Sequence, residues 1–445
     1  MRNFKFTFWG GLLLLVVLWV IAEPAVFQAG TFMDWRKPMI QLTGVIAMGC
    51  MGFAMLLALR PRWLEKCLVG LDKMYRLHKW LGISALVFSI MHWLWAKGPK
   101  WAVEWGWMEK AAKGKRIPPD NVIEVFLTQF RHTAESVGEW TFYAIVALIV
   151  LALLKYFPYR WFYKTHRLMA VAFLAFVFHT VVLFQFNYWA TPLGVVIVAL
   201  LVTGTWSALV SLVHRIGQRN KMPGEIMAMR YFPGVRALAI EAEVKDWPGH
   251  EPGQFVFATS SAAEGAHPYT IASGWDPKNP RLMFVVKELG DHTARLREKL
   301  KIGQKVTIEG PYGCFTFNDD RPHQIWIGGG IGITPFIARM QTIAGRKEQK
   351  NQTVDLFHTT AEVDEQAFEN LKADARSAGV QLHLTIDDRD GYLTAATIRN
   401  LVPNWHEASI WFCGPTAFAE ALKRDFAAQG FPVEKHFHQE LFSMR

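Results

Sequence analysis

Cysteine is scarce in this chain: four in 445 residues, at positions 50, 67, 314 and 413, with no Cys-x-x-Cys pair. That spacing disfavours zinc ribbons, disulfide scaffolds and an internal iron–sulfur module. Charge is thin too, at 19% against 51% hydrophobic and 14% aromatic residues, which excludes intrinsic disorder. No calcium loop of EF-hand type occurs. Acidic residues are rarest in the first half: residues 1–220 hold 10 against 23 Lys and Arg, whereas residues 221–445 hold 28 against 25. The net charge of +10 therefore arises in the first half. A basic, aromatic, apolar half followed by a near-neutral one points to a membrane domain with a soluble part attached, and away from a nucleic-acid binder.

Long apolar runs are what the first half does have. Six stretches, 6–29, 38–59, 78–96, 138–157, 166–186 and 191–213, reach the length of about 20 residues that a bilayer span needs. Lys and Arg concentrate between the second and third (Arg60, Arg62, Lys66, Lys73, Arg76, Lys79), between the fourth and fifth (Lys155, Arg160, Lys164, Arg167) and after the sixth (Arg215, Arg219, Lys221). Short cytoplasmic loops are enriched in these residues, so both termini and everything after 215 are expected in the cytoplasm, with 97–137 as the main external loop. Arg2 and Lys5 ahead of an apolar run also fit a signal peptide, whose removal would not alter the orientation of the rest.

Lys79, Glu139 and Lys155 lie within three residues of a span end, and deeper than that the spans hold no Lys, Asp or Glu apart from Glu23, toward the end of the first; yet the third carries His78 and His92 and the fifth His166 and His179. Ionisable groups inside a membrane are costly and usually functional. Fourteen and thirteen residues at 1.5 Å per residue separate the members of each pair by roughly 21 and 20 Å. If the two spans are neighbours, His78 meets His166 at one level and His92 meets His179 at the other. Two bis-imidazole sites for haem iron follow, with a structural or proton-relay role as the rival reading. Thirteen residues fall about 140° short of four turns, so the fifth span is expected to be overwound or distorted. Phe173 and Phe176 lie between the two levels, either against the macrocycles or as ordinary apolar filling.

From about 223 the pattern turns to short alternating strands, 225–231, 235–243, 254–259, 281–287 and 304–310, punctuated by Pro-Gly turns, as in a small antiparallel barrel. From 323, strands 324–328, 353–358, 380–386 and 409–413 alternate with helical stretches 335–344 and 363–378, as in a parallel nucleotide-binding sheet. Between the first of these strands and its helix lies Gly328-Gly329-Gly330-Ile331-Gly332-Ile333-Thr334-Pro335. Glycines let backbone amides approach a pyrophosphate, and a helix N-terminus, where Pro is tolerated, adds partial positive charge. Cys413-Gly414-Pro415 follows the last strand at the edge where a nicotinamide would lie. In the barrel, His267-Pro268-Tyr269-Thr270-Ile271-Ala272-Ser273 and Gly290-Asp291-His292-Thr293, ahead of a helix over 294–300, offer planar groups, hydroxyls and amides suited to a flavin; each also fits an ordinary strand or turn.

Taken together, these residues resemble the ferric reductase and NADPH oxidase superfamily of transmembrane flavocytochromes over nearly the whole chain. The resemblance implies a six-helix transmembrane bundle (1–215) followed by a ferredoxin-reductase-like module. That module comprises an antiparallel β-barrel FAD domain (223–322) and an α/β parallel-sheet NAD(P) domain (323–445). It implies His78 and His166 on an inner b-type haem and His92 and His179 on an outer one. His267, Pro268, Tyr269, Thr270, Ile271 and Ser273 correspond to the flavin ring segment, and Gly290, Asp291 and Thr293 to the segment at its phosphates, although His292 stands where many members have Trp. Gly328, Gly329, Gly330, Gly332, Thr334 and Pro335, with Cys413, Gly414 and Pro415, correspond to the nicotinamide nucleotide site. Phe442 looks like the aromatic that covers the flavin face in the wider reductase group. Thr270, Cys413 and Phe442 are the expected residues around hydride transfer.

The implied activity runs from cytoplasmic NADPH or NADH through FAD and two haems to a small acceptor beyond a bacterial-type inner membrane, either oxygen, giving superoxide, or ferric iron. A haem-free bundle acting as transporter or anchor, fused to a flavin reductase, is the alternative. Thr359-Thr360 follow the strand ending at His358 with no Arg beside them to pair with a 2′-phosphate, leaving Arg389 and Arg346 as candidates and the donor open.

Overall fold

A computed structural model describes residues 2–109, 121–154, 159–261, 265–290, 292–346 and 352–440. The chain divides into two compact units. One comprises the residues up to Leu68 with Lys73–Ile216; the other comprises Val69–Asp72 and the residues from Gly217 on.

The first unit is helical: α1 (Arg2–Ala22), α2 (Phe32–Ala58), α3 (Leu71–Glu104), α4 (Arg131–Leu153), α5 (Tyr159–His166), α6 (Leu168–Leu183) and α7 (Pro192–Leu212). Among the described residues, six helical stretches are long and apolar enough to cross a membrane, the fifth being Lys164–Leu183. α2 opens on a capping box in which Thr31 Oγ1 accepts from the Asp34 amide while the Asp34 carboxylate accepts from the Thr31 amide. This satisfies two of the amides that a helix start leaves unpaired. α2 is also the most enclosed span. Its Gly52 lies against the Leu200 backbone of α7, where an added Cβ would come within 3.1 Å of the carbonyl oxygen. Glu23, the exceptional carboxylate, accepts hydrogen bonds from Tyr188 and from Gln185.

One expectation needs adjusting, and the expected distortion of the fifth span has a definite place. Residues 97–104 continue α3 and 131–137 belong to α4, so the segment between these helices is shorter than 97–137 and itself holds a helix, Val122–Gln129. The fifth span is interrupted at Arg167, directly after His166, where the Ala170 amide bonds the Arg167 carbonyl three residues back instead of four. A tightened turn of this kind is what the 13-residue spacing of His166 and His179 requires.

In the second unit, six antiparallel strands form a sheet of order β4-β3-β6-β1-β2-β5. These are β1 (Lys221–Phe232), β2 (Ala237–Val244), β3 (Phe255–Thr259), β4 (His267–Thr270), β5 (Arg281–Lys287) and β6 (Lys305–Tyr312). In β2, Leu238, Ile240, Ala242 and Val244 are buried while Ala239, Glu241 and Glu243 are less so, the period-two signature of one face on a core. A bridge from Ile271 to Phe284 joins the end of β4 to β5 and draws the two edges together.

The parallel sheet has order β11-β10-β7-β8-β9, from β7 (His323–Gly329), β8 (Thr353–Thr360), β9 (Gln381–Ile386), β10 (Ala408–Cys413) and β11 (Phe437–Gln439). Its helices are α8 (Thr334–Arg346), α9 (Glu365–Ala378), α10 (Ala395–Leu401) and α11 (Thr416–Ala428). β4 and β11 are strands beyond those expected; both are short, and β4 contains a proline. The chain enters the sheet at central β7, runs out to β9, then returns to β10 on the other side, so the order reverses between β7 and β10.

One polar group is built into this sheet. Asp355 on β8 accepts from His323 Nε2 on β7 at 2.8 Å and from His383 Nε2 on β9 at 2.6 Å. Burial by itself would raise the Asp355 carboxyl, but the two imidazole hydrogen bonds outweigh it and hold the group down at about 2. A carboxylate depressed in the folded state contributes stability above its unfolded pKa, and that contribution is lost as pH falls through the folded value. Asp355→Asn should therefore lower the thermal midpoint at pH 7, at a cost of about 1–3 kcal/mol. The difference should persist down to about pH 4 and disappear near pH 2, as measured by melting at a series of pH values.

Candidate functional site

The four intramembrane histidines meet in two pairs. The rings of His78 and His166 lie 5.8 Å apart, centre to centre, at 63°, and those of His92 and His179 lie 6.1 Å apart at 76°. Three of the four are fixed through Nδ1 to a helix carbonyl: His78 to Ala54 at 2.9 Å, His92 to Ile40 at 2.9 Å and His179 to Ala134 at 2.8 Å. A carbonyl can only accept, so Nδ1 carries the proton and Nε2 keeps its lone pair. His166 is oriented by stacking on Phe162, 5.0 Å away at 23°, and its buried Nδ1 has no hydrogen-bond partner among the described residues.

Glycine makes the second pair possible. In a helix each Cβ leans toward the preceding turn, so a side chain at position i+4 lies beside the carbonyl of residue i. Four residues beyond Ile40 is Gly44, and four beyond Ala134 is Gly138. A Cβ on Gly138 would lie 2.1 Å from His179 Nδ1, and one on Gly44 3.2 Å from His92 Nδ1. Both imidazoles reach their carbonyls through notches; a Cβ would fill the one at Gly138 and crowd the one at Gly44.

What such pairs can hold is limited by their number. No group of three or more His, Cys, Asp or Glu suited to a metal occurs among the described residues, so a bare ion would find two ligands. An iron macrocycle brings four nitrogens of its own and asks for two. A metal–nitrogen bond of about 2 Å, with about 1 Å more to the ring centre, places two imidazoles on one metal roughly 6 Å apart. The observed spacings fit. Phe176 approaches the second pair, 6.3 Å from His179, while Phe173 is buried against Gly204, on which a Cβ would meet its ring at 2.4 Å.

In the antiparallel sheet the two expected flavin segments touch. His267 stacks on His292 with ring centres 3.6 Å apart and planes 9° apart, and the Tyr269 hydroxyl lies 3.0 Å from His292 Nε2. Thr293 Oγ1 accepts from the amides of Leu289 and Gly290, forming a tight turn. Strand pairing sets Thr270 opposite Phe255, Tyr269 opposite Val256 and Pro268 opposite Phe257. Two members have structural tasks: Ile271 is fully buried in the core, and the Ser273 hydroxyl accepts from the Met283 amide on β5. Asp291 and Phe442 lie outside the described residues.

The carboxyl ends of β7 and β10 bring the glycine loop against Cys413-Gly414-Pro415. A Cβ on Gly332 would lie 2.1 Å from the Cys413 carbonyl oxygen, and one on Gly329 2.9 Å from Pro415. Gly330 has φ of 55°, a left-handed conformation that glycine adopts without strain. α8 then starts at Thr334, one residue earlier than expected, with Pro335 next, so its free amides open onto the crevice where the strand order reverses. Cys413 is fully buried. Burial first, and the Glu440 carboxylate second, push its thiol well above the usual range, so it stays protonated. Glu440 was not singled out in the sequence. Its Oε1 lies 3.2 Å from a Cβ position on Gly313, and its one sequence signal is the position two before Phe442.

Comparison with known proteins follows the same division. Residues 43–177 match the family described as the ferric reductase like transmembrane component, and residues 238–316 match an FAD-binding domain. The chain is 28% identical over 212 residues to the glycine betaine monooxygenase reductase subunit of Chromohalobacter salexigens, covering 43% of this chain and 56% of that protein. To NADH-cytochrome b5 reductase 1 of Candida glabrata it is 28% identical over 163 residues, covering 34% of this chain and 54% of the other. The chain spans about half the length of the curated relatives it matches. Among solved structures, the ferredoxin reductase in carbazole 1,9a-dioxygenase covers 50% of this chain, with 69% of its own length, at 20% identity and a TM-score of 0.42. A flavohemoglobin from Malassezia yamatoensis covers 92%, with 98% of its own, at 15% identity and a TM-score of 0.47.

The contact between Gly332 and the Cys413 carbonyl yields a direct test. Gly332→Ala must push the two carboxyl ends apart, so the thermal midpoint should fall by the equivalent of about 1–3 kcal/mol, and affinity for a nicotinamide dinucleotide should fall with it. Unchanged melting and binding would show that the loop yields freely there.

Proposed function

Since the chain joins a ferric-reductase-like transmembrane component to an FAD-binding reductase module, as the ferric reductase and NADPH oxidase superfamily does, we propose that it is a transmembrane flavocytochrome. It would move electrons from NAD(P)H on the cytoplasmic side to a small acceptor, oxygen or ferric iron, on the other. The observation that carries this reading is the pairing of four intramembrane imidazoles, three with Nδ1 bound to a carbonyl and Nε2 left to coordinate. Bound FAD would take the hydride of the nicotinamide as an electron pair and release it singly, and two b-type haems would carry single electrons across the bilayer.

The chain's own residues supply binding and orientation. His78 with His166, and His92 with His179, would hold the two haem groups, each carbonyl-bound ring being kept in one tautomer and one plane. The amides of the Gly328–Thr334 loop would receive the pyrophosphate of the nicotinamide nucleotide, and Cys413-Gly414 would bound its nicotinamide end. Buried and protonated, Cys413 would act there as a packing and weak hydrogen-bonding group, not as a thiolate nucleophile. Tyr269, Thr270, His267 and the turn at Thr293 would hold FAD on the sheet, and Phe442 would cover its ring. The Lys and Arg clusters after the second, fourth and sixth spans support a bacterial-type inner membrane orientation with the reductase unit in the cytoplasm. The domains are then 1–215 for haem, 223–322 for FAD and 323–445 for NAD(P).

The absorption spectrum of purified, FAD-supplemented protein tests this. Two low-spin haems per chain should appear and should be reduced anaerobically by a nicotinamide donor. His92→Ala should lower the haem content from two to one, whereas a haem-free protein that retains flavin reduction would establish the anchor or transporter reading instead. Air and a ferric chelate, added separately to the reduced protein, then separate an oxidase from an iron reductase by which of them restores the oxidised spectrum faster.

The glycine notch makes a narrower prediction. Gly138→Ala should displace His179 from the Ala134 carbonyl, reducing or shifting one low-spin haem signal while the other keeps its position. An identical spectrum in the variant would remove the notch from the ligand's support.

A further inference from the structure

The donor itself can be read from the edge of the parallel sheet, provided that this sheet takes a nicotinamide dinucleotide as proposed above. With the pyrophosphate on the Gly328–Thr334 loop, the adenosine end extends over the carboxyl ends of the neighbouring strands on the side away from β10. Those are β8 and β9. There Gly329 pairs with Thr359, and Thr359 with Thr385. Two residues past Thr385, Asp387 turns its Oδ1 to the Thr359 hydroxyl, which donates to it at 2.7 Å. This fixes the carboxylate beside the strand end and leaves Oδ2 to accept from a ligand. In that position a carboxylate accepts a hydrogen bond from a ribose 2′-hydroxyl and repels a 2′-phosphate.

The nearby cations do not reverse this. Arg389 forks onto Asp390, with Nε to Oδ1 at 2.7 Å and Nη2 to Oδ2 at 2.8 Å, and Asp390 is anchored in turn by the Ile386 amide. Arg236 and Lys287 both bind Glu362, at 2.7 and 2.6 Å. Arg346 is the last residue of α8, a helix that starts at the crevice, so its backbone lies roughly 18 Å along the axis from Thr334. Asp364 and Asp388 add further negative charge to the neighbouring loops.

We propose that Asp387, positioned by Thr359, makes this protein selective for NADH over NADPH by accepting a hydrogen bond from the adenosine ribose 2′-hydroxyl. The test is anaerobic reduction of the FAD-loaded, full-length protein by each nucleotide, together with competition by 5′-AMP and by its 2′-phosphorylated form. NADH should exceed NADPH in kcat/KM by about tenfold or more, the worth of one hydrogen bond to a charged group, and 5′-AMP should compete better than its 2′-phosphorylated form. Asp387→Asn should erode the preference through KM, Thr359→Val should erode it less, and Asp387→Ser combined with Thr359→Arg should turn it toward NADPH. Equal or better use of NADPH by the native protein, or a preference unmoved in both Asp387→Asn and Thr359→Val, overturns the assignment alone. Reduction by neither nucleotide overturns the nicotinamide reading as well.

Discussion

An imidazole inside a bilayer has two nitrogens and no water, and the first unit is organised around where each of them goes. A polar atom left unpaired in hydrocarbon costs several kcal/mol. A helix offers few places to spend a donor, because its carbonyls already serve the backbone ladder and its side chains crowd around them. A carbonyl oxygen has a second lone pair, though, and stays reachable where the residue one turn on is small: Ala58 beyond Ala54, and glycine in the other two cases. Ile40 with Gly44, and Ala134 with Gly138, provide this for His92 and His179. Fixing Nδ1 also determines the chemistry, since it leaves Nε2 unprotonated with its lone pair free to bind.

The second unit applies the opposite device to the same accounting. A parallel sheet pairs its amides and carbonyls within the strands, but where strand order reverses, a loop and a helix start must leave amides open. Gly332 beneath the Cys413 carbonyl lets the two loops close to backbone contact, so these amides gather in one crevice. The His323–Asp355–His383 bridge ties three strands together, and at the acidic carboxyl end of β9 Asp387 is tied back to Thr359 of β8. In the membrane unit three of the four ring Nδ1 atoms are paired with carbonyls, whereas here a helix start leaves its amides open.

Much of this was legible in the chain because the signals are periodic or contiguous. Six apolar runs, the histidine spacings and the strand–glycine loop–helix sequence each sit within a single element, and the mismatch of 13 residues with helical pitch anticipated the break at Arg167. What the sequence did not reveal is what depends on two elements at once. Gly44 and Gly138 look like tolerated small residues until the histidine on another helix is placed against them. Asp355 draws on histidines 32 and 28 residues away, and Thr359 meets Asp387 across 28. β4 and β11, of four and three residues, carry too little pattern to be recognised without the strands beside them.

The first histidine pair departs from the symmetry of the second, and the helix break accounts for it. His166 ends α5, and Arg167 then turns away to donate to the Leu212 carbonyl of α7 at 3.0 Å. Among the described residues no carbonyl meets the His166 Nδ1, and the imidazole rests on Phe162 by stacking instead. Stacking fixes a plane but not a tautomer, because face-to-face contact engages neither ring nitrogen as donor or acceptor. His78, held by Ala54, therefore sets the geometry of that level, and His166 follows it. The same tightened turn that brings His166 and His179 onto one face thus removes the anchoring at one of them. One pair is held at both rings and the other at one, and that difference comes from the spacing of 13.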